Sequence, residues 1–517
     1  MLYYYGNIMN SENSEEESRV LQTRIAGVLM PVSALPSKEG IGTLGKDAYR
    51  FIDYIKQSGF SLWQVLPLVP TNYGDSPYQS CSSEALNYYF IDLQTLVEEG
   101  LLSAEDYAAE EFITHPRRVD YGKLFEKKVA VLKKAFARFD REDKDFQAFV
   151  AAGKYDDFAL FMSLKEGFSH RAWQEWPEEF RNYNEERMRL YAHTHRESLL
   201  FWQFTQFIFL KQWKALKAYA NAQGIAVMGD MPLYVAMDSA EVWKYGNELF
   251  LMDEDKNPTA VAGVPPDAFS EDGQLWGNPL YDWNKMEEDG YRWWRARIAS
   301  ALKLYDLLRI DHFRGFDRYF AVPVGAESAR EGLWQHGPKE KLFLPEWQNA
   351  IVAEDLGTLD EGVYRLMELT GYPGMRVLSF GFDGSPACPH VPSAYPTHCI
   401  AYTGTHDNEP LRAFIENFPD REWIVSVLKR ECEPYFPLPE DHSPKALTLS
   451  AVRLLYASKA NICILPLWDA LALGAEARIN FPSTVSPANW SYRFAREDFT
   501  QELSIFLRDL ASRYKRL

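Results

Sequence analysis

Acidic residues lie at the ends of four apolar segments of this chain. Asp230, Asp311 and Asp407 each end such a segment, and Glu354 with Asp355 ends a fourth. A single acidic residue after a strand is usually a turn or helix-capping residue. Four strand ends of this kind indicate a catalytic cluster, because the carboxyl ends of parallel strands meet on one face of a barrel.

Asp311 and Glu354 together have the chemistry that cleaves a glycosidic bond with retention of configuration. That reaction needs one carboxyl that protonates the leaving oxygen and another, about 5 to 5.5 Å away, that attacks the anomeric carbon. Arg309 lies two residues before Asp311, so along a strand its side chain points to the same face. It could keep the Asp311 carboxylate ionised, which suits a nucleophile.

Glu354 is the candidate general acid. The apolar segment before it predicts partial burial, which raises the pKa of a carboxyl into the range that proton transfer needs. The structural alternative is that Glu354 caps the helix that follows, a role that Asp355 or Thr358 would fill equally well.

His312 and His406 flank two of the carboxylates. They could donate hydrogen bonds to sugar hydroxyls, or they could bind a metal as in barrel hydrolases. Metal barrels of that kind usually carry an HxH pair near the first strand. The HxH pair of this chain, His193 and His195, falls in a helix-rich stretch instead. We therefore predict no metal site.

Gly40, Gly42 and Gly45 form a GxGxxG pattern after the first apolar segment. In dinucleotide-binding folds this pattern approaches a pyrophosphate, and an acidic residue further along binds the ribose. No acidic residue ends the second apolar segment, LWQVLPL. We therefore predict a loop at the barrel mouth rather than a nucleotide site.

Two loop motifs offer further ligand contacts. The YGDSPYQ segment presents Ser76 and Tyr78, and the GQLWGNP segment presents Gln274 and Trp276. The indole of Trp276 is a possible platform for a sugar ring. The structural alternatives are a Pro-containing turn for the first segment and a tight turn anchored by a buried Trp for the second.

Eight short, apolar, β-rich segments recur along the chain, and helix-like segments separate most of them. They begin at Ile25, Leu62, Ile225, Leu304, Ala350, Met375, Cys399 and Asn461. Two of the helix-like segments, QWKALKAYANAQG and LDEGVYRLMELTG, end on glycine, as helices commonly do. Eight buried strands alternating with helices predict an α/β fold, a closed (β/α)8 TIM barrel.

The spacing of these segments predicts large, mostly helical insertions in the barrel. Residues 94–222 are charged, amphipathic and helix-prone, which predicts an inserted helical subdomain. Residues 234–294 are rich in Pro, Gly, Asp and Trp, which predicts an ordered loop region on the active-site face. Residues 1–24 are predicted to be a flexible extension, and residues 25–517 the catalytic barrel.

Composition and net charge limit the kinds of molecule that this protein is expected to bind and the compartment in which it is expected to work. The 517 residues carry a formal net charge of −18, which repels nucleic acid and anionic membranes, so we predict neither as a partner. Five cysteines without CxxC spacing argue against a disulfide framework or a zinc site and predict a reducing, cytoplasmic location. The first residues, MLYYYGNIMNSENSEEESRV, lack the basic and apolar regions of a signal peptide.

Three motifs of the chain resemble those of the 4-α-glucanotransferases, also called amylomaltases or disproportionating enzymes. They are RIDHFRGF from Arg309, AEDLG from Ala353 and YTGTHDN from Tyr402. The resemblance also includes LPLVPTNYGDSPYQS, GDMPLYVA, AGVPPDAFSEDGQLWGNPLY, PGMRVLSF and DALALGAEARIN. It runs from about Ile25 to near Trp490, and long motifs in a common order make chance agreement negligible.

The resemblance implies a retaining transfer of segments from an α-glucan donor, such as a maltooligosaccharide, to an acceptor glucan. It implies that Asp311 is the nucleophile, Glu354 the acid/base, and Asp407 a third carboxylate that holds sugar hydroxyls and stabilises the transition state. It implies no cofactor and no metal. The same match assigns further residues to glucan subsites, namely Tyr78, Asp230, Gln274, Trp276, Arg309, His312 and His406.

Two other functions are alternatives. An α-glucan hydrolase of the α-amylase type would use the same carboxylates with water as acceptor, and products longer than the substrate would distinguish transfer from hydrolysis. A non-catalytic glucan-binding barrel would not need all three carboxylates. The chain departs from the family pattern at ALNYYFIDL, at Trp468 before Asp469, and at Glu409 after HDN, none of which changes the three carboxylates.

Overall fold

The computed structural model describes residues 20–517 except 109–111, 267–270, 358, 384 and 386–387. Most of the predicted N-terminal extension, Thr358, and residues 267–270 of the predicted loop region therefore lie outside the described residues. What the sequence predicts for them stays a prediction.

Twelve strands occur among the described residues. In chain order they are β1 (Ile25–Leu29), β2 (Leu62–Gln64), β3 (Ala226–Met231), β4 (Ala260–Val264), β5 (Gln274–Pro279), β6 (Leu307–Ile310), β7 (Arg318–Pro323), β8 (Leu333–His336), β9 (Ile351–Ala353), β10 (Gly374–Val377), β11 (Cys399–Tyr402) and β12 (Ile462–Pro466). Eight of them form one parallel sheet, and the other four form an antiparallel sheet.

The described part of the chain also contains eighteen α-helices. They are α1 (Lys46–Gln57), α2 (Leu93–Glu98), α3 (Glu105–Ala108), α4 (Tyr121–Arg138), α5 (Lys144–Ala151), α6 (Asp156–Gly167), α7 (Glu178–Arg181), α8 (Glu185–Thr194), α9 (Arg196–Ala222), α10 (Ala240–Tyr245), α11 (Trp283–Glu288), α12 (Arg292–Leu304), α13 (Glu361–Thr370), α14 (Leu411–Asn417), α15 (Arg421–Cys432), α16 (Pro444–Ala457), α17 (Leu467–Ala470) and α18 (Gln501–Arg513). Gly371 ends α13 with a φ of 71°, the left-handed C-cap that the sequence predicted there.

The parallel sheet is the predicted barrel. Its strands follow the order β10-β11-β12-β1-β2-β3-β6-β9. A hydrogen bond of 3.0 Å from Ala353 N at the end of β9 to Pro373 O beside β10 closes the ring. Each of the eight predicted segments overlaps one of these strands, so the predicted (β/α)8 fold class is confirmed. Strands such as β1 and β12 are buried along their whole length, as parallel strands are when both sheet faces are covered.

Strand register brings two of the acidic residues to the same level of the barrel. Met231 of β3 pairs with Ile310 of β6, and Ile310 pairs with Ala353 of β9. Asp311 directly follows Ile310, and Glu354 directly follows Ala353. They therefore leave neighbouring strands side by side at the carboxyl end, where barrel enzymes carry their active sites.

The antiparallel sheet, in the order β5-β4-β7-β8, was not predicted. The region 234–294, which was predicted to be an ordered loop region, supplies β4 and β5 as well as helices α10 and α11. Its strand β4 pairs with β7, which follows Asp311 in the chain and in turn pairs with β8; Ala262 of β4, for example, pairs with Ala321 of β7. Short strands with glycine and proline look like turns in the sequence, and their distant partners are not visible in a local pattern.

The segment between β2 and β3 is helical, in line with its amphipathic sequence, and contains helices α2 to α9. It contacts the barrel mouth through Asp238, a residue of the loop after β3. Lys165 of α6 forms an ion pair with Asp238, and Trp173 N donates to its Oδ1 at 3.2 Å. Asn72 Nδ2, from the loop after β2, donates to Asp238 O at 3.0 Å. The helical segment therefore braces the loop that carries Ser76 and Tyr78.

The GxGxxG segment is a packed loop. Gly45 precedes α1, and a Cβ at this position would overlap the carboxylate of Asp92. Thr43 Oγ1 donates to the same carboxylate at 2.8 Å. A pyrophosphate at the start of α1 would have to take the place of this anion, so the segment does not fit a nucleotide.

The cysteines and the helices bear on two predictions made from composition. All five cysteine side chains are buried and free. Burial raises the pKa of the Cys81 and Cys399 thiols to about 12, which keeps them in the unreactive protonated form. Across the described residues, no helix combines the length and apolar character that a membrane span requires.

Candidate active site

Arg309 joins two carboxylates at the carboxyl end of the barrel. Its Nη1 lies 2.7 Å from both oxygens of Asp230, and its Nη2 lies 2.7 Å from Asp311 Oδ1, as the spacing of Arg309 and Asp311 predicted. Burial alone would lower the pKa of Arg309, but the two carboxylates raise it well above its ordinary value. The guanidinium therefore stays charged and places a positive charge beside the Asp311 carboxylate, the candidate nucleophile.

Glu354 is held by two backbone N–H groups. His312 N donates to its Oε2 and Leu356 N donates to its Oε1, each at 2.7 Å. Burial and the negative charge of Asp311 raise the pKa of Glu354 to about 7, against the opposing effects of Arg309 and the two N–H groups. A carboxyl with this pKa can give a proton near neutral pH and take one back.

Glu354 does not cap the helix that follows it. Asp360 caps α13 and accepts a hydrogen bond from a backbone N–H of the first turn. Asp355 is buried and accepts hydrogen bonds from a backbone N–H of β10 and, at 2.9 Å, from Arg376 Nη1. The capping alternative for Glu354 is therefore wrong, and the Asp355 carboxylate is occupied by structural contacts.

Asp407 is a third carboxylate at the same end of the barrel, in the loop after β11. Asn480 Nδ2 donates to its Oδ1 at 2.7 Å, and His406 Nε2 lies 3.3 Å from its Oδ2. Burial alone would raise the pKa of Asp407, but His406 and Asn480 lower it to about 2. The Asp407 side chain is 48% exposed, so an anionic carboxylate remains accessible to hydroxyl donors of a ligand.

The carboxylates of Asp311 and Asp407 open into a cleft of about 240 Å³. Its lining residues are Ser76, Tyr78, Gln79, Pro232, Leu233, Tyr234, Gln274, Trp276, Asn278, Asp311, His312, His406, Asp407, Asn480, Pro482, Ser483 and Trp490. Aromatic rings and uncharged polar groups surround the two carboxylates. Such a lining suits a neutral ligand that has both hydroxyl groups and apolar faces.

One wall of the cleft is aromatic. The rings of Tyr78 and His406 are stacked with their centroids 5.1 Å apart, and the ring of Trp490 lies 5.7 Å from that of Tyr78. Tyr78 OH donates to Asp230 Oδ2 at 2.7 Å. The loop after β2 is thereby tied to the same buried carboxylate that holds Arg309.

Trp276 of β5 provides a second aromatic surface. Its ring meets that of His312 edge-on at 4.9 Å, and its Nε1 donates to Gln274 Oε1 at 3.2 Å. Ser483 Oγ donates to the same Gln274 oxygen at 2.9 Å, so the antiparallel sheet is joined to the segment that follows Asn480. Burial lowers the pKa of His312 to about 4, which leaves a neutral ring that can donate one hydrogen bond.

Three of the cleft residues that are not glycine have left-handed backbone. His312, Ser483 and Trp490 have φ values of 50°, 62° and 58°. Such conformations cost about 1–3 kcal/mol each and persist where the surrounding structure holds them, often at functional sites. His312 is one of these strained residues, and its backbone N–H donates the hydrogen bond to Glu354 Oε2.

The structure brings the predicted site residues to one end of the barrel, where some line the cleft and others are buried away from it. Ser76, Tyr78, Gln274, Trp276, His312, His406, Asp311 and Asp407 line the cleft. Asp230 and Arg309, which the resemblance assigned to glucan subsites, are each 4% exposed and do not line it. Asn480 was not predicted, although it is the last residue of the motif DALALGAEARIN. Its contact with Asp407 joins residues 73 positions apart.

The histidines of the chain form no metal cluster in the part that the structure describes. No group of three or more His, Cys, Asp or Glu side chains there is arranged to hold a metal ion. His193 and His195, the HxH pair, lie at the end of α8 in the helical segment. His406 instead contacts Asp407 and the aromatic wall, and His312 contacts Trp276.

Comparisons with known proteins agree on one family. The 4-alpha-glucanotransferase family model matches residues 30–498. The 4-alpha-glucanotransferase of Clostridium butyricum is 43% identical over 482 residues, which cover 92% of this chain and 97% of that protein. The enzyme of the same name from Thermus thermophilus is 40% identical, with coverage of 96% and 99%.

Among solved structures, the amylomaltase from Streptococcus agalactiae in complex with acarbose superposes with a TM-score of 0.90. It is 41% identical in sequence, and the match covers 95% of this chain and 99% of that one. The family model spans most of the chain, and the relatives match nearly their whole length. This chain therefore belongs to the 4-alpha-glucanotransferase family.

Proposed function

We propose that this enzyme transfers segments of a 1,4-α-glucan to the 4-hydroxyl of an acceptor glucan or glucose in two displacement steps. One observation carries the proposal. Asp311 accepts a hydrogen bond from Arg309 and directly follows strand β6. Glu354 has a pKa of about 7 and directly follows the neighbouring strand β9, so the two carboxyls lie side by side. A retaining mechanism needs this combination of an ionised nucleophile and a protonated acid.

In the first step an Asp311 oxygen attacks the anomeric carbon of the donor. The bond from that carbon to the 4-oxygen of the departing chain breaks, and Glu354 gives its proton to this oxygen. The products are a shortened free glucan and a glycosyl group joined to Asp311 by a β-linked ester bond.

In the second step Glu354, now a carboxylate, removes the proton from the 4-hydroxyl of the acceptor. The acceptor oxygen attacks the same carbon, the ester bond breaks, and Asp311 leaves as a carboxylate. Each step inverts the configuration, so the new bond is again α.

Asp407 is assigned to the reacting sugar. Its accessible carboxylate, held ionised by His406 and Asn480, would accept hydrogen bonds from sugar hydroxyls and stabilise the positive charge that develops at the anomeric carbon. The aromatic surfaces of Tyr78, Trp276 and Trp490 would pack against sugar rings and exclude water. Exclusion of water favours an acceptor sugar over hydrolysis.

The cysteines and the net charge of the chain support a proposal about its cellular environment and its partners. We place the enzyme in a reducing, cytoplasmic environment, with maltooligosaccharides or other α-glucans as donor and acceptor and without a nucleic-acid or membrane partner. The free, buried cysteines and the net charge of −18 support this assignment.

Incubation with maltotriose, followed by separation of the products by length, tests the proposal. Transfer yields glucose together with chains longer than maltotriose, whereas a hydrolase yields only shorter products. Asp311→Asn, which keeps the shape of the side chain, is the control and should abolish both kinds of product without unfolding the protein. Near-normal activity in this variant would contradict the assignment of the nucleophile.

A further inference from the structure

Asp469 is a buried carboxylate that the two displacement steps do not use. It lies in α17, directly after β12, and is 1% exposed. Its Oδ2 accepts a hydrogen bond of 2.6 Å from Thr403 Oγ1, and its Oδ1 accepts one of 2.7 Å from Leu411 N. Burial raises the pKa of Asp469 to about 6, so at pH 7.5 the group is ionised and both oxygens accept.

The two donors are the ends of one loop. Thr403 is the first residue after β11, and Leu411 is the first residue of α14. His406 and Asp407 lie between them. A single carboxylate from α17, which follows the neighbouring barrel strand β12, therefore holds both ends of the loop that carries Asp407.

Hydrogen bonds within the loop make it a compact unit. Asn408 Oδ1 accepts bonds from Thr405 N at 2.8 Å and from Thr405 Oγ1 at 2.9 Å. Thr405 Oγ1 also accepts a bond from Asp407 N at 3.3 Å. These bonds fix Asp407 within the short segment that Thr403 and Leu411 connect to the barrel, so we expect a shift of the loop ends to move Asp407 as well.

We infer that Asp469 is a positioning residue for Asp407, acting through Thr403 and Leu411. The inference rests on the proposed function, in which Asp407 contacts the reacting sugar. Asp469 itself does not line the cleft. Its effect is therefore on the placement of Asp407 in the transition state, and it should appear in kcat more than in KM.

Asp469→Ala is the first test, at pH 7.5 with maltotriose. Removal of the carboxylate leaves Thr403 Oγ1 and Leu411 N without their acceptor, so both ends of the loop lose their partner. A misplacement of about 1 Å can cost about 100-fold in rate, and we expect a kcat loss of about that size with little change in KM. A variant with wild-type kcat would overturn the inference.

A second, matched pair of variants probes the same contact from the other side. Thr403→Val keeps the shape of the residue and removes the hydroxyl, whereas Thr403→Ser keeps the hydroxyl. We expect kcat to fall about tenfold in Thr403→Val and to stay near the wild-type value in Thr403→Ser. Equal values in the two variants would show that the hydrogen bond to Asp469 is not what matters, and would overturn the inference even if Asp469→Ala fails to fold.

Combination with Asp407→Asn separates positioning from general stability. If Asp469 acts through Asp407, adding Asp469→Ala to Asp407→Asn causes no further loss of activity. An α-maltosyl fluoride donor at high enzyme concentration keeps the residual rates measurable. Asp306→Asn is the control, because Asp306 accepts bonds from Val227 N and Asn221 at the opposite end of the barrel strands. Its effect should be the same in both backgrounds.

The outcomes also distinguish this inference from the proposed function. An Asp407→Asn variant with full activity would contradict the proposed function itself. If Asp407→Asn is impaired and the loss from Asp469→Ala is equally large with and without Asp407→Asn, only the positioning inference is wrong.

Discussion

Asp230 and Arg309 are direct partners on the neighbouring parallel strands β3 and β6, and Arg309 Nη1 lies 2.7 Å from both oxygens of Asp230. Their side chains are 0% and 4% exposed. The same guanidinium contacts Asp311 through Nη2. One buried ion pair therefore orients the guanidinium that contacts the proposed nucleophile.

We expect Asp230→Ala to reduce both stability and activity. Removal of one partner leaves the Arg309 charge buried without its main counterion, which costs about 3–5 kcal/mol of unfolding free energy. The rate should fall as well, because Arg309 loses its orientation toward Asp311. Urea unfolding and maltotriose assays measure the two effects. Arg496→Gln, which breaks the exposed pair with Asp47, should cost less than about 1 kcal/mol; an equal loss in both variants would contradict the argument.

The pKa of Glu354, about 7, predicts an alkaline limb in the pH profile. The first step needs the protonated carboxyl, so kcat/KM for maltotriose should fall about tenfold per pH unit above pH 7. α-Maltosyl fluoride releases fluoride, which needs no proton, and its profile should lack this limb. Initial rates between pH 5 and 9 test the comparison. The same limb with both donors would assign the titration to another group.

Azide rescue should distinguish the acid/base from the nucleophile by the configuration of the product. Glu354→Gln should turn over maltosyl fluoride to the glycosyl enzyme and then accumulate it, because no base activates the acceptor. Azide needs no base and should release the α-configured glycosyl azide. Asp311→Gly should instead give the β-configured azide, since azide takes the place of the missing carboxylate. Nuclear magnetic resonance of the products and mass spectrometry of the protein read out both variants. If Glu354→Gln forms neither the covalent adduct nor the azide product, Glu354 is not the acid/base.

Trp276→Ala should weaken ground-state binding of the glucan. A stacked aromatic ring contributes about 1.5 kcal/mol beyond its buried area, so we expect KM for maltotriose to rise about tenfold while kcat changes less. Leu275→Ala is the matched control, because this neighbour is 45% exposed and points to the other face of β5. Equal KM values in the two variants would argue that Trp276 serves the packing of the sheet only.

Arg516 should stabilise the barrel without affecting catalysis. This residue is fully buried, and its guanidinium donates to five carbonyl oxygens between β1 and β12, those of Ile25, Tyr456, Ser458, Ala460 and Asn461. Arg516→Met removes all five of these hydrogen bonds, which should lower the unfolding free energy by about 3 kcal/mol or more. Activity per folded molecule should stay unchanged. Lys515→Met alters the exposed neighbour and is the control in thermal unfolding; a matching loss there would refute the role of Arg516.

The sequence by itself determined the barrel and the two central carboxylates. A parallel strand buried on both faces is a short apolar run, and eight such runs are visible without any knowledge of their partners. Asp311 and Glu354 could be placed on one face because each directly follows a run, and strand direction alone puts those ends together. The amphipathic pattern likewise predicted the helices between β2 and β3.

Only the tertiary structure decided which distant residues meet. The register of β3 against β6 pairs Asp230 with Arg309, and packing of the loops at the barrel mouth brings Asn480 to Asp407 and Ser483 to Gln274, which are 73 and 209 positions apart. The four-stranded antiparallel sheet depends on the same kind of distant pairing. Periodicity reports which side of a segment is buried, and it carries no information about what covers that side. The contacts that hold Asp407, Asp311 and the barrel ends are therefore set by packing between segments, which no local pattern records.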